Sequence, residues 1–576
     1  MTETATVVEL AKRRGYFFQS SRAYGGVSGF YTYGPQGAAL KENIEDTWRE
    51  RFTLKEGNFE VDAPIVMPEP VFEASGHLDG FDDMLVECPE CHASHRADHI
   101  IEDNTGIEEA ESLPIPEVEN LLAEHELTCP NCGADLAGQA IEEFNLMFQT
   151  SIGPGSSQPG YLRPETAQGI FVEFPQLKEY ARNQLPFGVT QIGPAYRNEI
   201  SPRKSLLRLR EFTQAELELF IDPEEDEPAL DVVRDVEAPL YSAEMQESDD
   251  SEPVTMAIGD AVDEGIISDA WVAYYLGLAK QWYTRIGIDM EKFRFRQHLS
   301  GELAHYAADC WDAEALVDGD WIELAGFANR GDYDLSKHGS YSDEDFTLFK
   351  QYDEPKHVER ATVDPDMSYL GPEFGGAAAD IGEALQTLAE RDRSAFDGDS
   401  VEVEVDGEAY EIPSEHVNFE VSEETEAGEH IVPHVIEPSF GVDRALYTVV
   451  HHAYREDEVE GEERSYLALK PEVAPTFVGV FPLTSKDGLP ETAQSVATEL
   501  RERGLSVAYD DSGSIGRRYR RQDEVGTPFC VTLDADPEGT ATIRERDSTE
   551  QVRVDLDELA DVLTALRTGE RTFDTL

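Results

Sequence analysis

The residues best able to do chemistry lie between Tyr196 and Phe220. The stretch reads Tyr-Arg-Asn-Glu-Ile-Ser-Pro-Arg-Lys-Ser-Leu-Leu-Arg-Leu-Arg-Glu-Phe-Thr-Gln-Ala-Glu-Leu-Glu-Leu-Phe. It holds Arg197, Arg203, Lys204, Arg208 and Arg210 in a chain of formal net charge −73. A guanidinium binds two phosphate or carboxylate oxygens at once, and Phe212 offers a flat face to a base. Both flanks read as strands. Phe212, Gln214, Glu216 and Glu218 share one face by the period of two, and Thr213, Ala215, Leu217 and Leu219 the other. The middle, Ile-Ser-Pro-Arg-Lys-Ser, has turn chemistry. A hairpin of this kind can hold a polyphosphate and a flat base together.

Four of the six cysteines form a second constellation, Cys88-Pro-Glu-Cys91 and Cys129-Pro-Asn-Cys132. Gly133 follows the second pair and permits the tight turn of a metal knuckle. Two knuckles can give four thiolates to a tetrahedral Zn²⁺. The gap between the pairs is longer than in a compact zinc ribbon, and reduced thiols or a redox pair are the alternative. His92, His95 and His99 lie close enough in sequence to substitute as ligands. Cys310 and Cys530 sit in apolar settings and are expected to be buried and inert.

The rest of the chain must position these groups. Its 576 residues suggest several domains, and 40% hydrophobic content is enough for substantial cores. There are 119 acidic residues against 46 basic ones, of which only 12 are lysine. Such a surface repels nucleic acid at low salt. Regular apolar periodicity argues against an acidic disordered chain. Adaptation to high salt explains the charge: at molar salt the Debye length falls to about 3 Å, and repulsion is screened. The N-terminal stretch has no long apolar core of a signal peptide, and no run suits a membrane span. Six cysteines are no disulfide framework for a chain of this size. A cytoplasmic protein is expected.

Leu40, Ile44, Trp48 and Phe52 mark a helix over 38–56, followed by a strand from Phe59 to Met67. Residues 221–265, with Pro-Glu-Glu-Asp-Glu-Pro and Glu-Ser-Asp-Asp-Ser-Glu, read as an exposed acidic insertion. Residues 375–430 read as another insertion, with a hairpin turning at Asp406-Gly407. From about 475 the pattern becomes β-α-β: Phe477–Phe481, a helix over 489–503 ending at Gly504, then Leu505–Tyr509.

Taken in order, these segments resemble a class II aminoacyl-tRNA synthetase, and more closely glycyl-tRNA synthetase of the archaeal and eukaryotic homodimeric type. The resemblance covers nearly the whole chain. Pro64-Ile-Val, after the long helix, is similar to motif 1 of the dimer interface, and the Tyr196–Phe220 stretch to motif 2. Glu437-Pro-Ser-Phe-Gly-Val-Asp-Arg444 is similar to motif 3, and Arg163-Pro-Glu-Thr-Ala-Gln-Gly169 to a substrate segment of glycyl enzymes. Asp511-Ser-Gly-Ser-Ile-Gly-Arg-Arg-Tyr and Gly526-Thr-Pro-Phe-Cys resemble the anticodon-binding domain. Motif 3 in the broader class has a second glycine and a glutamate before its arginine; Gly441-Val-Asp-Arg444 is the form of the glycyl branch.

The resemblance implies an α+β fold: an antiparallel catalytic sheet flanked by helices, a zinc-binding insert and a C-terminal α/β anticodon-binding domain. It places catalytic core at 1–84, 141–220, 266–374 and 431–472, with motifs 1, 2 and 3 in the first, second and last. The zinc insert takes 85–140, the two further insertions 221–265 and 375–430, and the anticodon-binding domain 473–576. It implies an ATP-dependent glycine–tRNA ligase, with Mg²⁺ accompanying ATP, a structural Zn²⁺ on Cys88, Cys91, Cys129 and Cys132, tRNA(Gly) as partner, and a homodimer with no membrane contact. The acidity then points to a halophilic archaeon.

By the same resemblance Arg197 and Arg444 are catalytic. Arg197 binds the α-phosphate and the glycine carboxylate, Glu199 the adenine amino group, and Arg208 the γ-phosphate. Phe212 stacks on adenine with Arg444 on the opposite face. Asn198, Leu207, Glu323, Leu324 and Gly441 complete the ATP site, with Glu323 a Mg²⁺ candidate. Glu165, Glu216 and Ser439 hold the α-ammonium of glycine with Glu437 close by, and Arg96, Phe212, Thr213, Gln214 and Gly441 line the same end. Steric exclusion suffices for the smallest amino acid, so no editing site is needed. Arg517, Arg518, Tyr519, Arg520 and Arg521 form a basic, aromatic cluster suited to single-stranded anticodon bases.

Two other classes compete. A synthetase-like binding protein would keep the fold without catalysis, and retention of Arg197, Glu199, Phe212 and Arg444 argues against it. Prolyl, threonyl or histidyl enzymes share the C-terminal domain, but the Glu165 segment and Glu-Pro-Ser-Phe-Gly argue against them.

Overall fold

The chain is described by a computed structural model that covers residues 3–107, 110, 113–154, 158–202, 205–248, 252–299, 309–405, 407–459, 461–535 and 539–576. Arg203 and Lys204 fall outside the described residues. Two compact units result: Met1–Phe346 together with Pro433–Leu576, and Thr347–Val432.

The first unit is built on a sheet of nine strands among the described residues. In chain order they are β1 (Phe59–Glu60), β2 (Phe187–Tyr196), β3 (Glu211–Ile221), β4 (Glu237–Tyr241), β5 (Val254–Ala257), β6 (Phe293–Gln297), β7 (Cys310–Val317), β8 (Asp320–Gly331) and β9 (His434–Gly441). Their spatial order is β5-β4-β6-β7-β8-β9-β3-β2-β1. Neighbours run antiparallel except β1 with β2 and β4 with β6. The mixed α+β class matches the expectation from sequence.

One face of this sheet is closed by helices. α1 (Pro35–Trp48) starts on a proline, whose missing N–H costs nothing at a first turn, and buries Leu40, Ile44 and Trp48. It runs on as a π-helical turn, Arg49–Leu54, that carries Phe52 inward. In α2 (Ala270–Ile286) the Asp269 side chain caps the N–H groups of Trp271 and Val272, and Gly287 closes the other end. α3 (Val442–Ala453) follows directly from β9. Phe440 of β9 is the meeting point. Its ring centroid lies 5.8 Å from Trp48, 4.9 Å from Phe52, 5.4 Å from Trp282 and 5.5 Å from Phe327. Because strand side chains alternate, Phe440 facing the helices turns Ser439 and Gly441 to the other face. Ala215, Leu217 and Leu219 of β3 likewise join the helical core, which leaves Gln214, Glu216 and Glu218 opposite, all buried.

The region read as an exposed acidic insertion is integral to this sheet. Within 221–265, β4 pairs with β6 and β5 with β4, and Val233, Ala238, Leu240, Ile258 and Ala261 are buried. Charge in the connecting turns masked the short apolar runs. The cysteine-bearing insert closes on a small sheet of Asp82–Glu87, Ser94–Arg96 and Ile141–Asn145, so its own strands reach past both edges of 85–140. Val86, Ile101, Val118, Leu122 and Leu136 form its core.

The second unit begins at Thr347, well before residue 375. Leu348–Val363 pairs antiparallel with Phe419–Ile431, a ribbon whose charged, two-sided composition gave no core periodicity to read. Beyond it Ala378–Arg391 packs Ile381, Leu385 and Ala389 with Val401, Val403 and Ile412 of the Ser400–Val405 and Glu408–Pro413 hairpin.

Among the described residues the C-terminal part carries five strands: β10 (Val478–Pro482), β11 (Val507–Tyr509), β12 (Phe529–Leu533), β13 (Thr540–Glu545) and β14 (Gln551–Asp555), ordered β11-β10-β12-β13-β14. Helices Leu489–Glu502, Ile515–Glu524 and Leu556–Thr568 complete it. Among the described residues no helix is long and apolar enough to cross a membrane.

Candidate active site

The turn that follows β2, together with β3, β8 and β9, frames a cavity of about 180 Å³. Arg197, Glu199, Leu207, Arg208, Phe212, Thr213, Gln214, Glu323, Leu324, Ser439, Gly441 and Arg444 line it, all singled out from sequence. Leu206, Leu209, Gly326 and Asp443 line it too and were not foreseen. Asp443 is buried at the start of α3 and accepts hydrogen bonds from the Tyr33 hydroxyl and the Thr213 N–H, tying α3 to β3. Burial raises its pKa.

Two arginines hold opposite walls. Arg444 donates to the carbonyls of Leu207 (3.1 Å) and Glu323 (2.9 Å) and pairs with the Glu323 carboxylate at 3.1 Å. Arg444 in turn holds the Glu323 carboxyl below its ordinary value. The guanidinium over the Phe212 ring is that of Arg197, at 5.4 Å, and it also lies 5.3 Å from the Phe81 ring. Arg208 donates to Glu199 at 2.5 Å and lies 3.6 Å from Asp83. Glu323 and Leu324 both reach the cavity because Leu324 is the extra residue of a β-bulge: Ala313 pairs with Ala325, and Glu314 with Glu323.

Glu216, Glu165 and Glu437, expected at the glycine end, do not line this cavity; Glu216 is buried beside it, joined to the lining residues Gln214 and Ser439. One carboxylate oxygen accepts from Gln214 (2.8 Å) and Ser439 (2.5 Å), the other from the Ala167 N–H (2.7 Å) and the Thr166 hydroxyl. Glu165 accepts from Gln168 at 2.9 Å and lies 3.7 Å from the His77 ring. Burial would raise the Glu165 pKa, but His77, Arg330 and Gln168 outweigh it and hold the carboxyl far below its usual range. Glu437 receives a 2.9 Å hydrogen bond from Arg330, whose fork also grips Asp334. Burial, with Glu216 and Glu165 nearby, still pushes the Glu437 carboxyl up to about 8. Arg330 reaches Glu437 through a second bulge. β8 meets β9 as Asn329–Ile436 and then Gly331–Val435, which leaves Arg330 unmatched.

Some expected residues lie elsewhere. Arg96 is outside the cavity, buried and paired with Asp98 (3.0 Å) and Asp83 (3.0 Å). Asp83 in turn neighbours Arg208, so Arg96 supports that wall of the cavity from behind. The Asn198 N–H donates to the Leu146 carbonyl at 2.7 Å, and Asn198 does not line the cavity. Arg518, expected at an RNA surface, is 5% exposed and donates to the carbonyls of Pro482, Asp511 and Gly513. Tyr519 packs on Phe481 and hydrogen-bonds Thr532. Arg517 is exposed; Arg520 and Arg521 are half-buried and paired with Glu462 and Asp510.

The four cysteines converge as expected. Their sulfurs all lie within 4.8 Å of one another, with Cys88–Cys132 at 3.5 Å and Cys91–Cys129 at 3.7 Å. Ligands at about 2.3 Å from a tetrahedral zinc stand about 3.8 Å apart, so the set fits Zn²⁺. Both knuckles have the same backbone: His92 N–H to Cys88 O (3.1 Å), and Gly133 N–H to Cys129 O (2.8 Å). Each turns at a left-handed residue, His92 at φ 56° and Gly133 at φ 77°. His95 Nε2 lies 3.2 Å from the Cys129 sulfur, beside the set.

Cys310 departs from expectation, being half-buried beside a His298–Asp312 pair at 2.9 Å. Burial would lower the His298 pKa, but Asp312 outweighs it and pushes it up to about 11, while burial raises the Cys310 thiol. A charged imidazole and a neutral thiol are the protonated forms that do not ligate metal.

Residues 156–249 match the tRNA synthetase class II core domain (G, H, P, S and T), and residues 478–566 the anticodon binding domain. The glycine–tRNA ligase of Methanothrix thermoacetophila is 48% identical over 571 residues, covering 98% of this chain and 97% of its own. That of Methanocaldococcus jannaschii is 45% identical over 571 residues, covering 97% and 98%. That of Methanothermobacter thermautotrophicus is 46% identical over 563 residues, again covering 97% and 98%. Identity at this level along the whole length, with both core and anticodon-binding segments in place, means that the chain belongs to the glycine–tRNA ligase family of class II aminoacyl-tRNA synthetases.

Proposed function

We propose that the protein activates glycine with ATP to glycyl-adenylate and pyrophosphate, and then transfers glycine to the 3′ end of tRNA(Gly). The observation that carries this reading is the cavity beside β3 that holds Phe212 and the arginines, with Glu216 buried next to it and hydrogen-bonded to two of its lining residues, Gln214 and Ser439. A glycine carboxylate oxygen attacks the α-phosphorus, the bond to the bridging oxygen breaks, and pyrophosphate leaves. The protein's part is alignment and charge stabilisation. In this reading Arg197 binds the α-phosphate and the glycine carboxylate, Arg208 the γ-phosphate, Glu199 the adenine amino group, and Phe212 and Arg444 the adenine faces. Glu323 would hold the Mg²⁺ that accompanies ATP. Glu165, Glu216, Ser439 and Glu437 surround the ammonium and leave no room for a side chain.

Zn²⁺ on Cys88, Cys91, Cys129 and Cys132 would fix the insert structurally. The segments 1–84, 141–220, 266–374 and 431–472 act as catalytic core and 473–576 as the anticodon-binding domain. Arg517, Arg520 and Arg521 remain the tRNA contacts of that domain. A homodimer is supported by Leu54, Phe59, Val66 and Tyr180, large apolar side chains exposed near the motif 1 segment. The net charge of −73 supports a high-salt cytoplasm, as in a halophilic archaeon. Glycine-dependent exchange of pyrophosphate into ATP at high salt tests the activity. Exchange driven by proline or threonine instead, or none at all, contradicts it.

A further inference from the structure

Glu218 is a buried carboxyl that the proposed chemistry does not use. It is 0% exposed, and among the described residues neither of its oxygens has a hydrogen-bond partner. It follows Glu216 on the same face of β3. The pairs Glu216–Ser439 and Leu219–Ile436 leave it opposite Glu437 on β9. Directly opposed side chains have Cβ atoms about 5 Å apart, and two like charges there are destabilising.

The charged groups acting on Glu218 are Glu437 from β9, Glu216 on its own strand, Arg330 from the β8 bulge and Asp334 from the helix that follows. Arg330 is the one cation among them, and its fork is already held by Asp334 and Glu437. An ionised Glu218 would therefore be a buried charge without a hydrogen bond, its one nearby cation already held by two other carboxyls, a state proteins avoid by neutralising the group.

We propose that Glu218 is an uncharged carboxylic acid that positions Glu437, offering its hydroxyl to the Glu437 carboxyl across the β3–β9 ladder. This rests on the reading of Glu437 as part of the glycine pocket. Glu218 then adds no negative charge behind an ammonium that Glu165, Glu216 and Glu437 already surround, yet holds the wall that Glu437 forms. It is a positioning residue, acting through Glu437. Burial and the Glu437 charge both raise the Glu218 pKa, in the same direction.

The test compares Glu218→Gln with Glu218→Ala in the full-length protein. Glutamine is uncharged and keeps one donor directed at Glu437. Its glycine KM and kcat should stay within about two-fold of wild type, with the melting temperature retained. Alanine removes the donor, so the glycine KM should rise about ten-fold or more while the ATP KM holds. Infrared difference spectra of wild type minus Glu218→Gln should show the carbonyl stretch of a protonated carboxylic acid at neutral pH. Glutamine raising the glycine KM as much as alanine would mean that the charge is needed, and would overturn the proposal. So would unchanged kinetics in Glu218→Ala, or a spectrum with only carboxylate bands. The two readings fail separately: a wild type that does not activate glycine sinks the glycine pocket, while the infrared band still decides whether Glu218 is neutral.

Discussion

At the scale of single residues, the proposed catalytic power lies in two guanidiniums and the proposed specificity in a set of carboxyls. Arg444 is pinned to Leu207 and Glu323 and holds its wall without a ligand. Replacing it with alanine should lower kcat/KM for adenylate formation by about 10²- to 10³-fold, typical of losing a preorganised donor. Lysine should rescue little, since it keeps the charge and loses the fork; steady-state exchange kinetics of both variants check this. Glu437 gives a pH signature. Its folded pKa is raised to about 8, above the ordinary carboxyl value, so the free protein binds the extra proton. The stability it contributes is full below the unfolded pKa and is lost as pH rises through about 8. A bound ammonium supplies the missing counter-charge. The melting-temperature increase caused by glycine should therefore grow between about pH 7 and about pH 9, and Glu437→Gln should flatten it. A ligand shift independent of pH in both proteins would contradict that role.

At the scale of elements, the order of motifs was legible and the irregularities were not. Alternation along β3 announced that Ala215, Leu217 and Leu219 join the helical core and that Gln214, Glu216 and Glu218 turn away from it, and the Cys-x-x-Cys spacing announced both knuckles. The bulges at Leu324 and Arg330 have no periodic signature, yet they bring Leu324 to the cavity and Arg330 to Glu437. Four arginines on one short helix did not reveal which of them turns inward. Arg518 does, because the loop carbonyls of Asp511 and Gly513 lie within its reach, and an apolar stripe that would betray the buried face is lacking. The knuckles make their own prediction. Metal analysis of the purified protein should find about one zinc per chain. Cys88→Ser should lose it and open the insert to proteolysis; full occupancy in that variant would contradict a four-thiolate site.

At the scale of the whole molecule, the charge of −73 is the dominant property. The acidic stretch that looked like an insertion supplies two strands of the main sheet, which shows how surface charge can hide core from a sequence reading. A protein of this charge should gain melting temperature and activity as KCl rises toward molar concentrations, where repulsion is screened within about 3 Å. Highest stability at low salt would contradict adaptation to brine. The same screening lets an acidic enzyme approach tRNA, so the central claim is best tested under those conditions. Pyrophosphate–ATP exchange at high salt, run with each amino acid in turn, measures it directly. The account predicts exchange with glycine alone, abolished in Glu216→Ala; exchange with another amino acid, or none with glycine, would contradict it.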